Sequence, residues 1–327
     1  MRICIYGAGA IGGHLGAVLA EAGAEVTLIA RGPHLEAIRA RGLKVIAPEG
    51  ERLLRLAATD DPAAAGPQDY VILALKVTSL PAITEAIQPL LGPETAIVSA
   101  QNGLPWWYFH RHGGALEGYR LKSLDPEGAL WRRLPPERCL GCVLYAAAEI
   151  TEPGVVTVSL AHRFPLGEPD GSRSRRVQVL AEVMAAGGLD APVRARIRDE
   201  IWVKLLGNLT FNPISVLTQG TMSGLAQDPG TRAVMREMMV EAMRVGEALG
   251  VRFDMEIEER LQAAERIGPF KTSMLQDLER GRRMEIDALV SAVAEIGDLL
   301  DIETPLIDTV RALTVHRARL AGCHPPA

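Results

Sequence analysis

Cysteine is scarce in this chain of 327 residues: only Cys4, Cys139, Cys142 and Cys323 are present. Four thiols cannot staple a protein of this length, and their low number fits a reducing compartment, so the cytoplasm is the expected location. Long apolar runs are missing as well. The most apolar stretches, residues 70–75 and 96–100, fall far short of the roughly 18–20 residues that a bilayer crossing needs, so no membrane association is expected. Residues 1–22 are apolar after Arg2, but Gly7, Gly9, Gly12, Gly13 and His14 interrupt the continuous core that a signal peptide requires. A basic surface is lacking too. Lys and Arg number 35 against 40 Asp and Glu, for a net charge of −5, and no Lys/Arg tract is present, which argues against nucleic acid as a partner. No metal is expected: Cys139 and Cys142 form a C-x-x-C, but no second such pair and no spaced His pair accompanies it. Both thiols read instead as small apolar residues, with Cys142 on a strand continuing through Val143, Leu144 and Tyr145.

What is present is a repeated grammar. Over the first hundred residues short β-rich runs alternate with turns and helical stretches, the pattern of a parallel sheet covered by helices. Strands are expected at 2–6, 25–30, 70–75 and 95–100, with a helix over about 11–22 and an inserted hairpin within 42–57. Residues 105–136 break the pattern, with Trp106, Trp107, Tyr108 and Phe109 followed by glycines and charges, and read as an insertion outside the core. Strands at 138–150 and 154–160, a helix at 174–186 and a short strand at 189–193 follow. From Ile197 onward apolar residues recur every three or four positions and β-branched runs vanish, so the remainder is expected to be all-helical. The boundary falls near 194–196, giving domains of 1–195 and 196–327. Met235, Met238, Met239 and Met243 are read as the core stripe of one helix.

Gly7-Ala8-Gly9-Ala10-Ile11-Gly12 follows the first strand directly and opens a helix, the context that the dinucleotide fingerprint requires. Gly7 permits the tight turn, Gly9 lets backbone approach a pyrophosphate, and Gly12 lets helix and strand pack closely. NAD-binding proteins usually carry a carboxylate at the end of the second strand to hold the ribose hydroxyls. Here that strand ends Leu28-Ile29-Ala30-Arg31, so a guanidinium stands where a 2′-phosphate would lie, which favours NADP. Lys76 and Asn102 are expected at two further strand ends, placing them on the same ligand-binding edge; the alternatives are a strand cap and an Asn-Gly turn.

In the helical half, Lys204, Asn208 and Asn212 are spaced i, i+4, i+8 and share one helix face among apolar neighbours. Pro213 predicts a bend at Asn212. Ser273 with Gln276 fits a capping box, and Gly281 could end that helix and leave Glu285 in the first turn of the next.

Together these residues resemble the ketopantoate reductase (2-dehydropantoate 2-reductase) family. The likeness rests on the glycine fingerprint, Leu75-Lys76, Gln101-Asn102-Gly103, Lys204/Asn208/Asn212-Pro213, Ser273-Met274-Leu275-Gln276-Asp277 and Glu285-Ile286-Asp287, in order along almost the whole chain. It implies an α/β protein with an N-terminal doubly wound, Rossmann-type domain binding NADPH, an all-helical C-terminal domain, and an active site in the cleft between them. It implies Lys204 and Glu285 as catalytic residues, and Asn102, Asn208, Asn212 and Ser273 as substrate-binding ones. Lys76 and Asn102 would contact cofactor or substrate near the nicotinamide, and Arg31 the adenosine 2′-phosphate. The implied reaction is hydride transfer to a small 2-oxo acid, ketopantoate giving pantoate, within pantothenate biosynthesis. The 105–136 stretch departs from the family pattern as an addition. Its readings are a lid that changes the 2-oxo acid accepted, a contact in a homodimer, or surface elaboration. His110 and His112 within it are not read as a catalytic or metal site. A catalytically idle NADP(H)-binding module is the remaining alternative, disfavoured by the intact set of Lys204, Asn208, Ser273 and Glu285.

Overall fold

The apolar runs at the start of the chain form parallel strands in a computed structural model describing residues 1–325. The strands are β1 (Arg2–Tyr6), β2 (Glu25–Ile29), β3 (Leu43–Ala47), β4 (Gly50–Leu54), β5 (Ala57–Thr59), β6 (Gln68–Leu73), β7 (Leu91–Ala100), β8 (Cys139–Cys142), β9 (Tyr145–Glu152), β10 (Val155–Arg163) and β11 (Leu166–Gly167). Seven of them make one sheet in the order β11-β8-β7-β6-β1-β2-β5. Its pairings are parallel except that of β11 with β8. Chain order runs outward from β1 in both directions, so the switch point at which doubly wound sheets bind ligands lies beside β1.

Five helices accompany these strands: α1 (Ala10–Glu21), α2 (Gly32–Arg41), α3 (Pro62–Ala65), α4 (Ala129–Arg133) and α5 (Arg175–Ala186). Helix α1 is buried on both sides because β3, β4, β9 and β10 form a second sheet, in the order β4-β3-β10-β9. Its glycines record the squeeze. A Cβ at Gly16 would stand 2.7 Å from Leu28 of the first sheet, and one at Gly13 would stand 3.1 Å from Val156 of the second. The expected hairpin is present as β3 and β4, but its parallel partner β10 lies more than a hundred residues away and was not foreseen.

His14 is sealed inside this layer at 4% exposure, and neither ring nitrogen has a hydrogen-bond partner among the described residues. Burial, with a smaller push from Arg52, lowers its pKa to about 4. The unfolded chain would take up that proton near pH 6.5, so acidification between the two values favours the unfolded state. Stability is therefore expected to fall by up to about 3 kcal/mol as pH drops from 7 to 4 through this group. Urea denaturation of wild type and His14→Leu at pH 7 and pH 5 checks this: the variant should lose part of the slope, and identical slopes would exclude the assignment.

Several expectations are corrected. The strand at 138–150 is broken at Val143 and Leu144, where the Val143 N–H leaves the ladder to donate to the Pro165 carbonyl. Residues 189–193 make only isolated parallel bridges, Asp190 with Arg163 and Val193 with Leu166, the latter to β11, which is itself only two residues long. The aromatics of the 105–136 stretch are core, not elaboration: Trp106, Trp107, Tyr108 and Phe109 are all buried. Trp107 donates its indole N–H to the Ser99 hydroxyl of β7 at 3.0 Å, and the ring fills the space a Cβ would need at Gly141 of β8. Cys139 and Cys142 stand three residues apart on β8, a separation of roughly 10 Å on opposite faces, so they cannot pair. Burial pushes the Cys142 thiol up to about 12 and that of Cys139 well above its ordinary value.

Two compact units emerge. The first comprises Met1–Gln101, Trp107–Arg120 and Gly128–Ile197, the second Asn102–Trp106, Leu121–Glu127 and Arg198–Ala327. The helices of the C-terminal part are α6 (Ile197–Thr218), α7 (Met222–Gln227), α8 (Pro229–Ala248), α9 (Ile257–Ile267), α10 (Ser273–Glu279), α11 (Ala292–Leu299) and α12 (Pro305–Leu320), with a π-helical segment, Asp287–Ser291, before α11. Met235, Met238 and Met239 line the buried side of α8. The buried Glu241 carboxylate on the same helix accepts the Leu306 and Ile307 N–H groups at 3.0 and 2.9 Å, satisfying the orphan donors at the start of α12. Glu295 on α11 likewise accepts from the Lys122 and Ser123 N–H groups at 2.7 and 2.8 Å, which fixes 121–127 to the helical unit. No helix among the described residues is long and apolar enough to cross a membrane.

Candidate active site

The first unit places the fingerprint at the carboxyl end of β1. Gly7 has φ +100°, and a Cβ there would meet Leu75 at 2.9 Å; one at Gly12 would run into the Gly7 carbonyl oxygen. Around Gly9 nothing lies within 4 Å of the corresponding point, so the backbone is bare on the side from which a phosphate would approach. Gly9 is also the N-cap of α1, with no side-chain cap bond and no acidic residue in the first turn. A helix start left in this state suits an anion, and the residues present therefore fit the pyrophosphate of a dinucleotide.

Arg31 caps α2 two residues beyond β2 and is exposed. Its charge acts on the Tyr6 phenol at the end of β1, opposing the rise that burial causes there. Lys76 begins a short 3-10 turn, Val77–Ser79, three residues past the end of β6 rather than directly at it. Gln101, following β7, donates its side-chain amide to the Leu75 carbonyl at 2.6 Å, tying the ends of β6 and β7 together. This residue was not singled out from sequence as more than a neighbour of Asn102. Gly7, Arg31 and Lys76 thus follow the carboxyl ends of β1, β2 and β6, along one edge.

The second unit holds every remaining candidate. Helix α6 runs unbroken through Pro213 to Thr218, so the expected departure from helical geometry at Asn212 does not occur. Proline removes one ladder bond, and the Asn212 carbonyl accepts from the Ser215 hydroxyl at 2.7 Å. Most of the helix circumference is buried from Ile201 to Val216; the accessible stripe consists of Val203, Lys204, Gly207 and Asn208. Asn212, one turn further on, is buried. Burial, aided by the Arg260 guanidinium, brings the Lys204 ammonium down to about 8.

Asn212 is linked to the start of α10. Ser215 shares a 2.6 Å hydrogen bond with the Thr272 hydroxyl, and Thr272 is the N-cap of α10, accepting from the Leu275 N–H at 3.2 Å. Ser273 is therefore not the capping residue that the sequence pattern proposed. The hydroxyl one position earlier makes both bonds, and Gln276 turns back to the Lys271 carbonyl at 3.2 Å instead of completing a capping box.

Glu285 immediately precedes the turn that opens the π-helical segment, and its carbonyl accepts the Leu289 N–H at 3.2 Å. Single π turns cluster at functional sites. Here the Ala288 carbonyl within it accepts the Leu104 N–H at 3.0 Å, bringing the Asn102-Gly103 segment beside it. Gly103 has φ +88°, and a Cβ would lie 2.5 Å from the Ala288 oxygen, so glycine is required by both conformation and space. The pair is no hairpin turn; Asn102 is carried to the neighbourhood of Glu285. The residue that sequence reasoning missed is Arg260 on α9, whose Nη2 donates to the Lys204 carbonyl at 3.4 Å. The available signal was Gly207, an isolated glycine in the middle of a helix.

Comparison with known proteins identifies the family and the fold. Residues 3–171 match the family described as ketopantoate reductase PanE/ApbA, and residues 196–317 match its C-terminal domain. A 2-dehydropantoate 2-reductase of Mesorhizobium japonicum is 54% identical over 325 residues, covering 99% of this chain and 100% of that one. A solved structure from Ralstonia solanacearum MolK2 superposes with a TM-score of 0.94 at 40% identity, over 99% of both chains. The PanE/ApbA family ketopantoate reductase of Ralstonia eutropha JMP134 does so with a TM-score of 0.84 at 30% identity, over 98% of this chain and 99% of that one. A D-mandelate dehydrogenase solved with NADH and anilino(oxo)acetate shares the fold at 23% identity, with a TM-score of 0.83.

Proposed function

The chain belongs to the ketopantoate reductase family, and from that premise we propose that it reduces 2-dehydropantoate to pantoate with NADPH, using Lys204 as the general acid. The observation that carries the reading is the Lys204 amine: it lies on the open stripe of an otherwise buried helix, with its pKa lowered to about 8. NADPH, when bound, supplies the hydride. Negative charge then grows on the substrate's carbonyl oxygen, where an ammonium both stabilises it and delivers the proton. A lowered pKa makes that proton easier to give while the group remains largely charged at neutral pH. Asn208, Asn212, Ser273 and Asn102 supply amides and a hydroxyl for the polar ends of the substrate. Glu285 provides the carboxylate, orienting Lys204 or accepting the substrate's hydroxyl. Gly7, Ala8, Gly9, Ala10, Ile11 and Gly12 hold the pyrophosphate, with Lys76 nearer the nicotinamide.

NADPH rather than NADH follows from Arg31 and the lack of a carboxylate at the end of β2. Arg31→Ala is expected to lower the preference for NADPH over NADH, measured as a ratio of kcat/KM values, by about tenfold or more, the size of a charge-assisted hydrogen bond. An unchanged ratio would refute the assignment. The function itself is tested by following NADPH oxidation with ketopantoate beside a panel of other 2-oxo acids. Ketopantoate should give the highest kcat/KM; a better rival would overturn the substrate, and silence on all of them the activity.

A further inference from the structure

We propose that Arg260 is a substrate-carboxylate residue, a guanidinium seated on Gly207 to receive the anionic end of the 2-oxo acid. The inference rests on the reading of Lys204 as the acid at the ketone. Gly207 sits in the interior of a 22-residue helix, where glycine is unfavourable relative to alanine. What uses the missing side chain is Arg260: a Cβ at Gly207 would stand 2.5 Å from its Nη2 and 3.2 Å from both Cζ and Nε. With Nη2 also donating to the Lys204 carbonyl at 3.4 Å, the guanidinium lies on the accessible stripe that carries Lys204 and Asn208.

Two cations have thus been gathered on the one open strip of α6, and Arg260 makes the Lys204 ammonium harder to keep charged. An anion placed beside both relieves that repulsion. In a 2-oxo acid the carboxylate carbon is bonded directly to the ketone carbon, so the group that grips the carboxylate must stand close to the acid at the ketone oxygen. A guanidinium packed within a turn of Lys204 meets this requirement, and its planar fork matches a carboxylate in two parallel hydrogen bonds. A purely structural alternative exists, because the same side chain ties α9 to α6 and approaches the Met255 sulfur at 4.0 Å. The experiment therefore has to separate charge recognition from packing.

Steady-state constants for Arg260→Gln, Arg260→Lys and Gly207→Ala would be measured with ketopantoate, with its neutral methyl ester, and for NADPH. For Arg260→Gln, KM for the acid should rise by about tenfold to a hundredfold, as for loss of a charge-assisted pair. KM for the ester and for NADPH should stay within twofold to threefold, roughly the scatter of context effects on a packing contact. Arg260→Lys should recover part of the loss, and Gly207→Ala, whose methyl displaces the guanidinium, should weaken acid binding in the same direction. Equal losses on acid and ester, or an unchanged KM for the acid, would overturn the proposal. Calorimetric binding of ketopantoate to wild type and Arg260→Gln reads the same contrast without turnover. A wild-type protein that binds but does not reduce ketopantoate would contradict the Lys204 reading, while equal affinities of the two proteins would contradict the role of Arg260.

Discussion

Lys204→Ala is expected to lower kcat by about a hundredfold or more, the usual contribution of a positioned general acid, with little change in KM for NADPH. The expectation follows from where the amine sits. Helix α6 supplies an apolar bed of Leu205, Leu206 and Leu209, all buried, and leaves Lys204 on its accessible stripe. The methyl group of alanine can neither offset charge on a carbonyl oxygen nor deliver a proton to it. In the proposed mechanism the protonated amine is the active form, and with its pKa lowered to about 8 before substrate binds, kcat/KM should decline as pH rises through that value. Near-normal turnover in the alanine variant, or a flat profile from pH 6.5 to 9, would remove Lys204 from the chemistry.

The second large effect concerns stability. Glu168 is 4% exposed and accepts two bonds from Arg176, from Nε at 2.7 Å and Nη2 at 2.6 Å, with the Ser174 hydroxyl as a third donor. Arg176 also donates to the Glu137 and Cys139 carbonyls at 3.1 and 3.5 Å, and the carboxylate holds its guanidinium above the ordinary pKa. One bidentate pair therefore joins the segment after β11, the start of α5 and the approach to β8. Glu168→Ala would leave a half-buried guanidinium uncompensated and the Ser174 hydroxyl without its acceptor, a loss expected at about 3–5 kcal/mol. Denaturant unfolding at neutral pH measures it, and a loss below about 1 kcal/mol would mean that water replaces the carboxylate. Replacing both partners by apolar residues of similar size should cost less than removing Glu168 alone.

Much of this molecule was legible from sequence because its signals are local. Gly7, Gly9 and Gly12 could be read from their spacing directly after a β-rich run, and the spacing of Lys204 and Asn208 is a property of one helix. Arg31 could be read because its partner strand ends two residues earlier. The unforeseen features depend on residues far apart in the chain. Pairing of β3 with β10 cannot be seen in either strand alone, and Trp107 became core through Ser99 and Gly141, which its own neighbourhood does not reveal. The capping role passed from Ser273 to Thr272 because Ser215, on another helix, shares a hydrogen bond with the threonine. Arg260 was hidden for the same reason: only folding brings α9 against Gly207.

In the proposed reaction a hydride passes from NADPH to the ketone carbon of ketopantoate while this protein supplies the proton. Incubating the enzyme with ketopantoate and NADPH deuterated in turn on each face of the nicotinamide C4, then weighing the product, tests it directly. Pantoate carrying a single deuterium at C2 from one of the two labelled cofactors is the predicted result. Pantoate free of deuterium with both, or no pantoate at all, would contradict the account.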